Sequence, residues 1–233
     1  MNTAIITIIN IKKMIQTRFD TANDAFHRLY WDLSSDGEDF GDTKAFFNVG
    51  FYIDNPEQME IKDSNALKRN WKEDYAAAEW TWYLSGNRNI SELGRIYGKV
   101  PKIWKKMADK HGNVNSNYGW QWTRNYQLSN VIDKLMKQPN TRQATISIYD
   151  GKEMNNYRHD TPCTYAIQFT VIDEKLNMCV TMRSNDLWYG FCNDQYCFAS
   201  LQCLVSAETG YELGTYYHFA HNLHLYNKNI KHG

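Results

Sequence analysis

No two cysteines in this chain are spaced as CxxC, and the five present, Cys163, Cys179, Cys192, Cys197 and Cys203, are odd in number. That disfavours a disulfide framework or a structural zinc site and points to free thiols in a reducing, cytoplasmic compartment. Proline is scarce, 4 in 233 residues, and no Pro/Ser-rich linker, tandem repeat or low-complexity tract interrupts the chain. One domain over residues 1–233 is expected. An excess of either charge is also missing, since Lys plus Arg and Asp plus Glu both number 26. A general nucleic-acid binder or a membrane-surface protein would carry a basic excess; a local basic cluster for one phosphate remains compatible. The apolar run within residues 1–13 is too short to span a bilayer and lacks the positive start and cleavage site of a signal peptide. Its Ile and Thr content reads as strand. Met14 is an equally good start, which makes residues 1–13 a candidate non-native or disordered extension.

Aromatic residues are abundant: 16 Tyr, 8 Trp and 10 Phe make up 15% of the chain. They suit flat ligands and apolar cores equally. Patterning predicts an amphipathic helix over residues 18–32, a loop over 33–43 and a strand from 46 to 53 ended by Asp54-Asn55-Pro56. Helices are expected at 65–84, 103–110 and 126–137. Strands are expected at 144–149, 165–172 and 176–182, then a helix at 194–209 and strands at 211–219 and 223–226. Helices early and strands late, without regular βαβ alternation, indicate an α+β fold with a mixed or antiparallel sheet covered by helices.

Cys163 follows Pro162 at the mouth of a predicted strand, where a thiol can face a cleft. A nucleophilic cysteine needs a nearby cation, and Arg183, at the end of the next strand, supplies one if the two strands pair. The alternative is a small buried cysteine. Glu79 interrupts the apolar run AAAEWTWYL and must be ion-paired, solvated in a cleft or raised in pKa; spacing alone favours the ion pair. His218, His221 and His224 invite a metal reading, but residues three apart on a strand face opposite sides, so none is expected. His224 and Tyr226 do share a strand face and are placed to bond one ligand.

Taken in order, these stretches resemble the thymidylate synthase superfamily, and within it the phage deoxycytidylate hydroxymethylases. The resemblance runs from about residue 77 to 226 and rests on AEWTWYLSG (78–86), KIWKKMADKHG (102–112), NSNYGWQW (115–122), PNTRQATISIY (139–149), TPCTYAIQF (161–169), MRSNDLWYGFCND (182–194) and HNLHLY (221–226). It implies a thymidylate synthase-like twisted sheet, a sheet-on-sheet homodimer and chemistry at C5 of a pyrimidine nucleotide with 5,10-methylenetetrahydrofolate as co-substrate. Carried over by position, Cys163 attacks C6, while Arg183 and Ser184 hold the phosphate, Arg183 also helping to keep the thiolate. Arg142 reaches the same phosphate from the partner subunit, with Gln143 standing where the family usually has a second arginine. His224 and Tyr226 bind the sugar, Glu79 organises water and proton transfer around C5, Trp104 and Asp186 line the folate side, and Tyr118 lines the cleft. Thr164 stands where many thymidylate synthases have His. The family's N-terminal arginine loop is not recognisable, and Lys44 is a candidate replacement.

Asp194 stands eight residues after Asp186, where thymidylate synthases carry the Asn that reads the pyrimidine edge. A carboxyl group suits cytosine, with its N3 acceptor and N4 donor, better than uracil. That favours deoxycytidylate over deoxyuridylate, with ribo- and deoxyribonucleotides left undivided. Asn193 next door would restore a uracil reader if the register slipped by one; Gly190 favours the unslipped count. The chain ends seven residues after Tyr226, short of the closing segment that thymidylate synthases place over folate. Water, rather than hydride, is therefore the expected last reactant, giving a hydroxymethyl product. Such an enzyme would suit a virus that modifies its DNA.

Overall fold

The computed structural model describes residues 17–231. The strand-like reading of residues 1–13, and their status as an extension, fall outside that range. Thr21 opens the first helix, α1 (Ala22–Asp36), through a reciprocal capping box with Asp24. The helix thus starts later than the apolar periodicity implied and runs through Leu33, which is buried. Only Gly37 remains of the expected loop before β2 (Glu38–Phe40) and β3 (Thr43–Ile53) form a hairpin. β1 (Arg18–Phe19) pairs parallel with the far end of β3.

Helix α2 covers only Glu73–Leu84. Residues 65–72, expected to be helical, are held as loop. Ser64 caps the Leu67 amide, Asp63 accepts from the Asn70 amide, and Asn70 takes a left-handed φ of 52°. Short polar side chains compete here with the helix for backbone bonds. Two further helices, α3 (Ile90–Tyr97) and α5 (Tyr118–Thr123), escaped the periodicity, and α4 is confined to Lys102–Met107. α6 (Gln127–Lys137) lies as expected.

The remaining strands are β4 (Thr145–Ser147), β5 (Thr164–Ile172), β6 (Lys175–Met182), β7 (Asn185–Asp186) and β8 (Glu212–Tyr226). A π-helical turn, Leu187–Phe191, leads into the long helix α7 (Cys192–Thr209). The sheet order is β1-β3-β8-β6-β5-β4, with β2 on β3 and β7 on β8. β8 runs parallel to β6 and antiparallel to β3, so the sheet is mixed and the fold α+β. Helices α1, α6 and α7 lie against it. Buried Phe26, Leu33, Trp82, Trp122, Phe169, Phe198 and Leu201 belong to the shared core. The other side carries a concave surface with a cavity of about 550 Å³ lined by Tyr52, Thr170, Asn177, Cys179, Thr215 and Tyr217, among others.

The two strands expected at 211–219 and 223–226 are one. Its buried positions alternate through Ala220 and resume at Leu223, a change of parity. Opposite it, Asn48 takes a left-handed φ of 57° and its Oδ1 lies 2.9 Å from His221 Nδ1. This local irregularity puts Leu223 and Leu225 in the core and leaves His224 and Tyr226 only partly covered.

Candidate active site

Antiparallel pairing of β5 with β6 sets Thr164 opposite Met182, and just beyond the ladder the Arg183 amide donates to the Cys163 carbonyl at 2.7 Å. The side chains meet as well: Arg183 Nη2 lies 3.6 Å from Cys163 Sγ. The guanidinium also donates through Nε to the Pro162 carbonyl at 3.1 Å and through Nη2 to the Thr161 carbonyl at 2.8 Å. Its Nη1 has no partner among the described residues, and Ser184 follows directly in sequence. Burial raises the Cys163 thiol to about 11; Arg183 pulls it down, while Asp194, Asp160 and Asp186 push it up. Arg183 thus acts on the thiol in the expected direction, while desolvation and three carboxylates together outweigh one guanidinium.

Glu79 is 5% exposed on α2. The ion pair that its position suggested is absent among the described residues. Instead the Tyr75 hydroxyl, one turn earlier, donates to Glu79 Oε1 at 3.2 Å, and Trp104 Nε1 donates to the Tyr75 hydroxyl at 2.8 Å. Burial raises the Glu79 carboxyl to about 8, the Asp194 charge adds to this, and Tyr75, Tyr83 and Trp104 pull it back. The ring of Trp104 stands edge-on to Trp82, with centroids 5.2 Å apart.

Asp194 sits in the first turn of α7. Asn185 Nδ2 donates to its Oδ2 at 2.7 Å. Burial lifts this carboxyl to about 7; the Asn185 bond lowers it and Asp186 raises it. Its charge is felt at Cys163, Glu79 and Tyr118, and also at the buried Tyr83, Cys197 and Tyr216. Asn193 points elsewhere: its Oδ1 accepts from Trp71 Nε1 at 2.9 Å and its Nδ2 donates to the Tyr189 carbonyl at 3.4 Å. Gly190 permits the turn, since a Cβ there would lie 3.1 Å from Asn185 Nδ2 and 3.2 Å from Asp194 Oδ2.

Tyr118 is buried, its hydroxyl pushed up by burial and then by Cys163 and Asp194. Its backbone is set by Gly119, where a Cβ would fall 1.7 Å from the Tyr83 carbonyl oxygen. On the other flank, β7 places Asp186 opposite His224. Burial raises the Asp186 carboxyl and lowers the His224 imidazole, each partly offset by the other's charge. His224 Nδ1 lies 2.8 Å from Asn222 Oδ1, and its ring stands edge-on to Tyr226 at 5.4 Å. Burial and then Asp186, Asp42 and Cys163 raise the Tyr226 hydroxyl.

The three histidines of the segment serve three separate places. His218 is buried against Phe51, bonded to the Tyr216 hydroxyl and held down to about 3 by burial. His221 faces Asn48 and His224 faces Asp186. Arg142 stands apart from this cluster. It is exposed, with no ion pair or hydrogen bond among the described residues, while Gln143 accepts from Lys134 at 3.0 Å. Lys44, the candidate replacement cation, pairs through Nζ with Asp39 at 2.8 Å across the β2–β3 hairpin. A separate cavity of about 310 Å³, lined by Arg88, Trp120, His159 and Asp160, lies beside the loop that leads to Cys163.

Sequence reading missed Tyr75, Asn185 and Arg69. Tyr75 carried a signal in its place four residues before Glu79. Asn185 had none except adjacency to Asp186. Arg69, from the unforeseen loop, bonds the Trp188 carbonyl and lies over the Trp188 and Tyr189 rings, with its charge felt at Asp186.

This constellation joins a partly buried thiol beside an arginine to two carboxyl groups poised near neutrality, a combination suited to adding a nucleophile to a ring and moving protons around it. The thymidylate synthase family pattern matches residues 57–232. The chain belongs to the thymidylate synthase family. Among relatives, it is 37% identical over 130 residues to the deoxycytidylate 5-hydroxymethyltransferase of Enterobacteria phage T4, covering 52% of this chain and 51% of that protein. The enzymes of the same name from phages T2 and T6 match equally. The aligned region thus spans about half the length of these relatives. The crystal structure of thymidylate synthase from T4 phage superposes with a TM-score of 0.70 at 23% identity, over 87% of this chain and 76% of that one. At that identity the likeness concerns the fold. None of the described helices is long and apolar enough to cross a membrane.

Proposed function

We propose that the protein is a deoxycytidylate 5-hydroxymethyltransferase. The observation that carries this reading is the division of labour at the start of α7. The charge of Asp194 reaches Cys163, Glu79 and Tyr118, whereas the neighbouring amide, Asn193, is engaged by Trp71. A carboxylic acid offers one donor and one acceptor, matching N3 and the N4 amino group of cytosine, and a carboxyl held near pH 7 retains its proton for much of the time. The relatives named for deoxycytidylate support the same choice.

In this reading Arg183 and Ser184 hold the phosphate, Arg183 through the free Nη1, while His224 and Tyr226 hold the sugar. Cys163 Sγ bonds to C6 as the thiol proton passes to water, the 5,6 electron pair moves to C5, and N3 accepts a proton from Asp194. Methylenetetrahydrofolate supplies a carbon at the oxidation level of formaldehyde to C5. The half-buried Trp104 ring, its N–H tied to Tyr75 beside Glu79, fits a flat pterin, and Asp186 completes that side. Glu79 removes the C5 proton as the bond from the new carbon to the folate nitrogen breaks, which frees tetrahydrofolate and leaves an exocyclic methylene at C5; a carboxyl near 8 takes up and returns protons at physiological pH. Water then adds to the exocyclic methylene of the nucleotide, Cys163 leaves and the 5,6 double bond returns. The sum is deoxycytidylate, methylenetetrahydrofolate and water in, 5-hydroxymethyl-deoxycytidylate and tetrahydrofolate out.

Arg142 serves the phosphate of a partner subunit, and the concave sheet face joins the two copies. The exposed, unpaired guanidinium and the 550 Å³ hollow flanked by Tyr52 and Tyr217 support that arrangement. The whole chain acts as one domain, without a metal, in a reducing cytoplasm, consistent with five free cysteines. The test is product analysis with deoxycytidylate, cytidylate or deoxyuridylate plus methylenetetrahydrofolate. Hydroxymethylated deoxycytidylate without dihydrofolate is the expected result; dihydrofolate accumulating with deoxyuridylate would assign a thymidylate synthase instead.

A further inference from the structure

Asn185 is 2% exposed, and its amide is only half used. Nδ2 donates to Asp194 Oδ2 at 2.7 Å, while Oδ1 is buried without a partner. A buried polar atom left unpaired is a cost to folding, so a side chain that keeps one calls for an account. Turning the amide over would be worse. It would set two N–H donors where Oδ1 now finds no partner and place an oxygen against the Asp194 carboxyl. The amide is thus held with its donor toward Asp194, and Gly190 leaves just enough room for that bond.

The consequence concerns which oxygen of Asp194 can carry a proton. A carboxylic acid reads a ring edge with one O–H and one lone pair, and by moving its proton to the other oxygen it reads the mirror pattern equally well. Cytosine needs a donor at N3 and an acceptor at N4; uracil needs an acceptor at N3 and a donor at O4. An unrestrained acid would therefore accept both bases. A neighbour that donates to Oδ2 takes one of its two lone pairs and bonds an unprotonated carboxyl oxygen more strongly than a hydroxyl oxygen, so the proton is favoured on Oδ1 and the acid presents one pattern.

We propose that Asn185 is a specificity-determining residue, which pins the Asp194 proton to Oδ1 and so turns a carboxyl able to read either pyrimidine into one that reads cytosine. This rests on Asp194 being the base reader, with Oδ1 facing N3. Asn185 acts through Asp194 and touches no reacting atom, which makes it a positioning residue. A buried polar group that mismatches its substrate is a strong discriminator, and the clamp supplies the mismatch against uracil.

The test measures kcat/KM for deoxycytidylate and deoxyuridylate in the full-length wild type, Asn185→Leu and Asp194→Asn. C5-tritium release serves as the readout because it does not depend on the final product. Asn185→Leu keeps the approximate volume and removes the donor. Its ratio of deoxycytidylate to deoxyuridylate should fall at least tenfold, mainly through gained use of deoxyuridylate. A variant that merely folds poorly lowers both values together and leaves the ratio unchanged. An unchanged ratio in folded Asn185→Leu, checked by circular dichroism, overturns the proposal. Asp194→Asn keeps the two failures apart. If it leaves the ratio unmoved, the base-reader assignment itself is wrong. If it shifts the ratio while Asn185→Leu does not, only the clamp is refuted.

Discussion

Glu79→Gln should make the protein more stable while nearly abolishing its chemistry. In the folded state burial raises this carboxyl from 4.5 to about 8, so the native protein binds a proton more tightly than the unfolded chain does. Stability is therefore greatest below pH 4.5 and is lost as pH rises through about 8, at about 1.4 kcal/mol for each pH unit between those values. Over that interval the loss reaches as much as ~5 kcal/mol, comparable to the net stability of many domains. Glutamine keeps the shape and still accepts from Tyr75, but never ionises. Urea unfolding of wild type and variant at pH 5 and pH 9 should show near-equal midpoints at the lower pH and a clear advantage for Glu79→Gln at the higher. Turnover should fall by about 10²–10⁴ through loss of a general base. Parallel stability curves across that pH range would refute the premise that Glu79 is desolvated and unpaired in the native state.

Tyr75→Phe removes a hydrogen bond that lowers the Glu79 carboxyl, so the limb of the kcat–pH profile that reports Glu79 should move to higher pH. Gly190→Ala should force Asn185 and Asp194 apart, since the new Cβ would crowd both polar atoms; lower deoxycytidylate turnover and a reduced unfolding midpoint are expected. Asp160→Asn takes away one of the carboxylates that raise the Cys163 thiol, so iodoacetamide should label Cys163 faster at pH 8 than in wild type. Arg142→Ala should raise KM for the nucleotide about 10–100-fold, as loss of a charge-assisted bond would. Mixing it with Cys163→Ser protomers should restore activity if the arginine crosses between subunits.

Much of the site was legible because its residues lie in short, dense strings. TPC followed by a strand, and MRSND at the end of the next, placed Cys163 and Arg183 opposite each other once β5 and β6 were read as neighbours. Glu79 stood out as a carboxylate inside an apolar helix. What could not be read were contacts closed by the fold. Trp104 meets Tyr75 across 29 residues, and Asn185 meets Asp194 only because a π-helical turn with a glycine brings them back together. The net direction of the Cys163 shift was out of reach for the same reason. The arginine is visible in sequence, but burial and the surrounding carboxylates belong to the folded state. The single β8 was read as two strands because its buried parity changes beside Asn48, a local irregularity that hydropathy presents as a break.

The sulfur–carbon bond at C6 is the step on which the account depends, and a 5-fluoro analogue of deoxycytidylate tests it directly. Fluorine cannot leave C5 as a proton does, so the chemistry should stall with the nucleotide still attached to the protein. Incubated with this analogue and methylenetetrahydrofolate, the wild type should gain the mass of nucleotide plus folate on the peptide that contains Cys163, and Cys163→Ser should gain none. An unmodified wild-type protein that still hydroxymethylates deoxycytidylate, or an adduct on another residue, would contradict it.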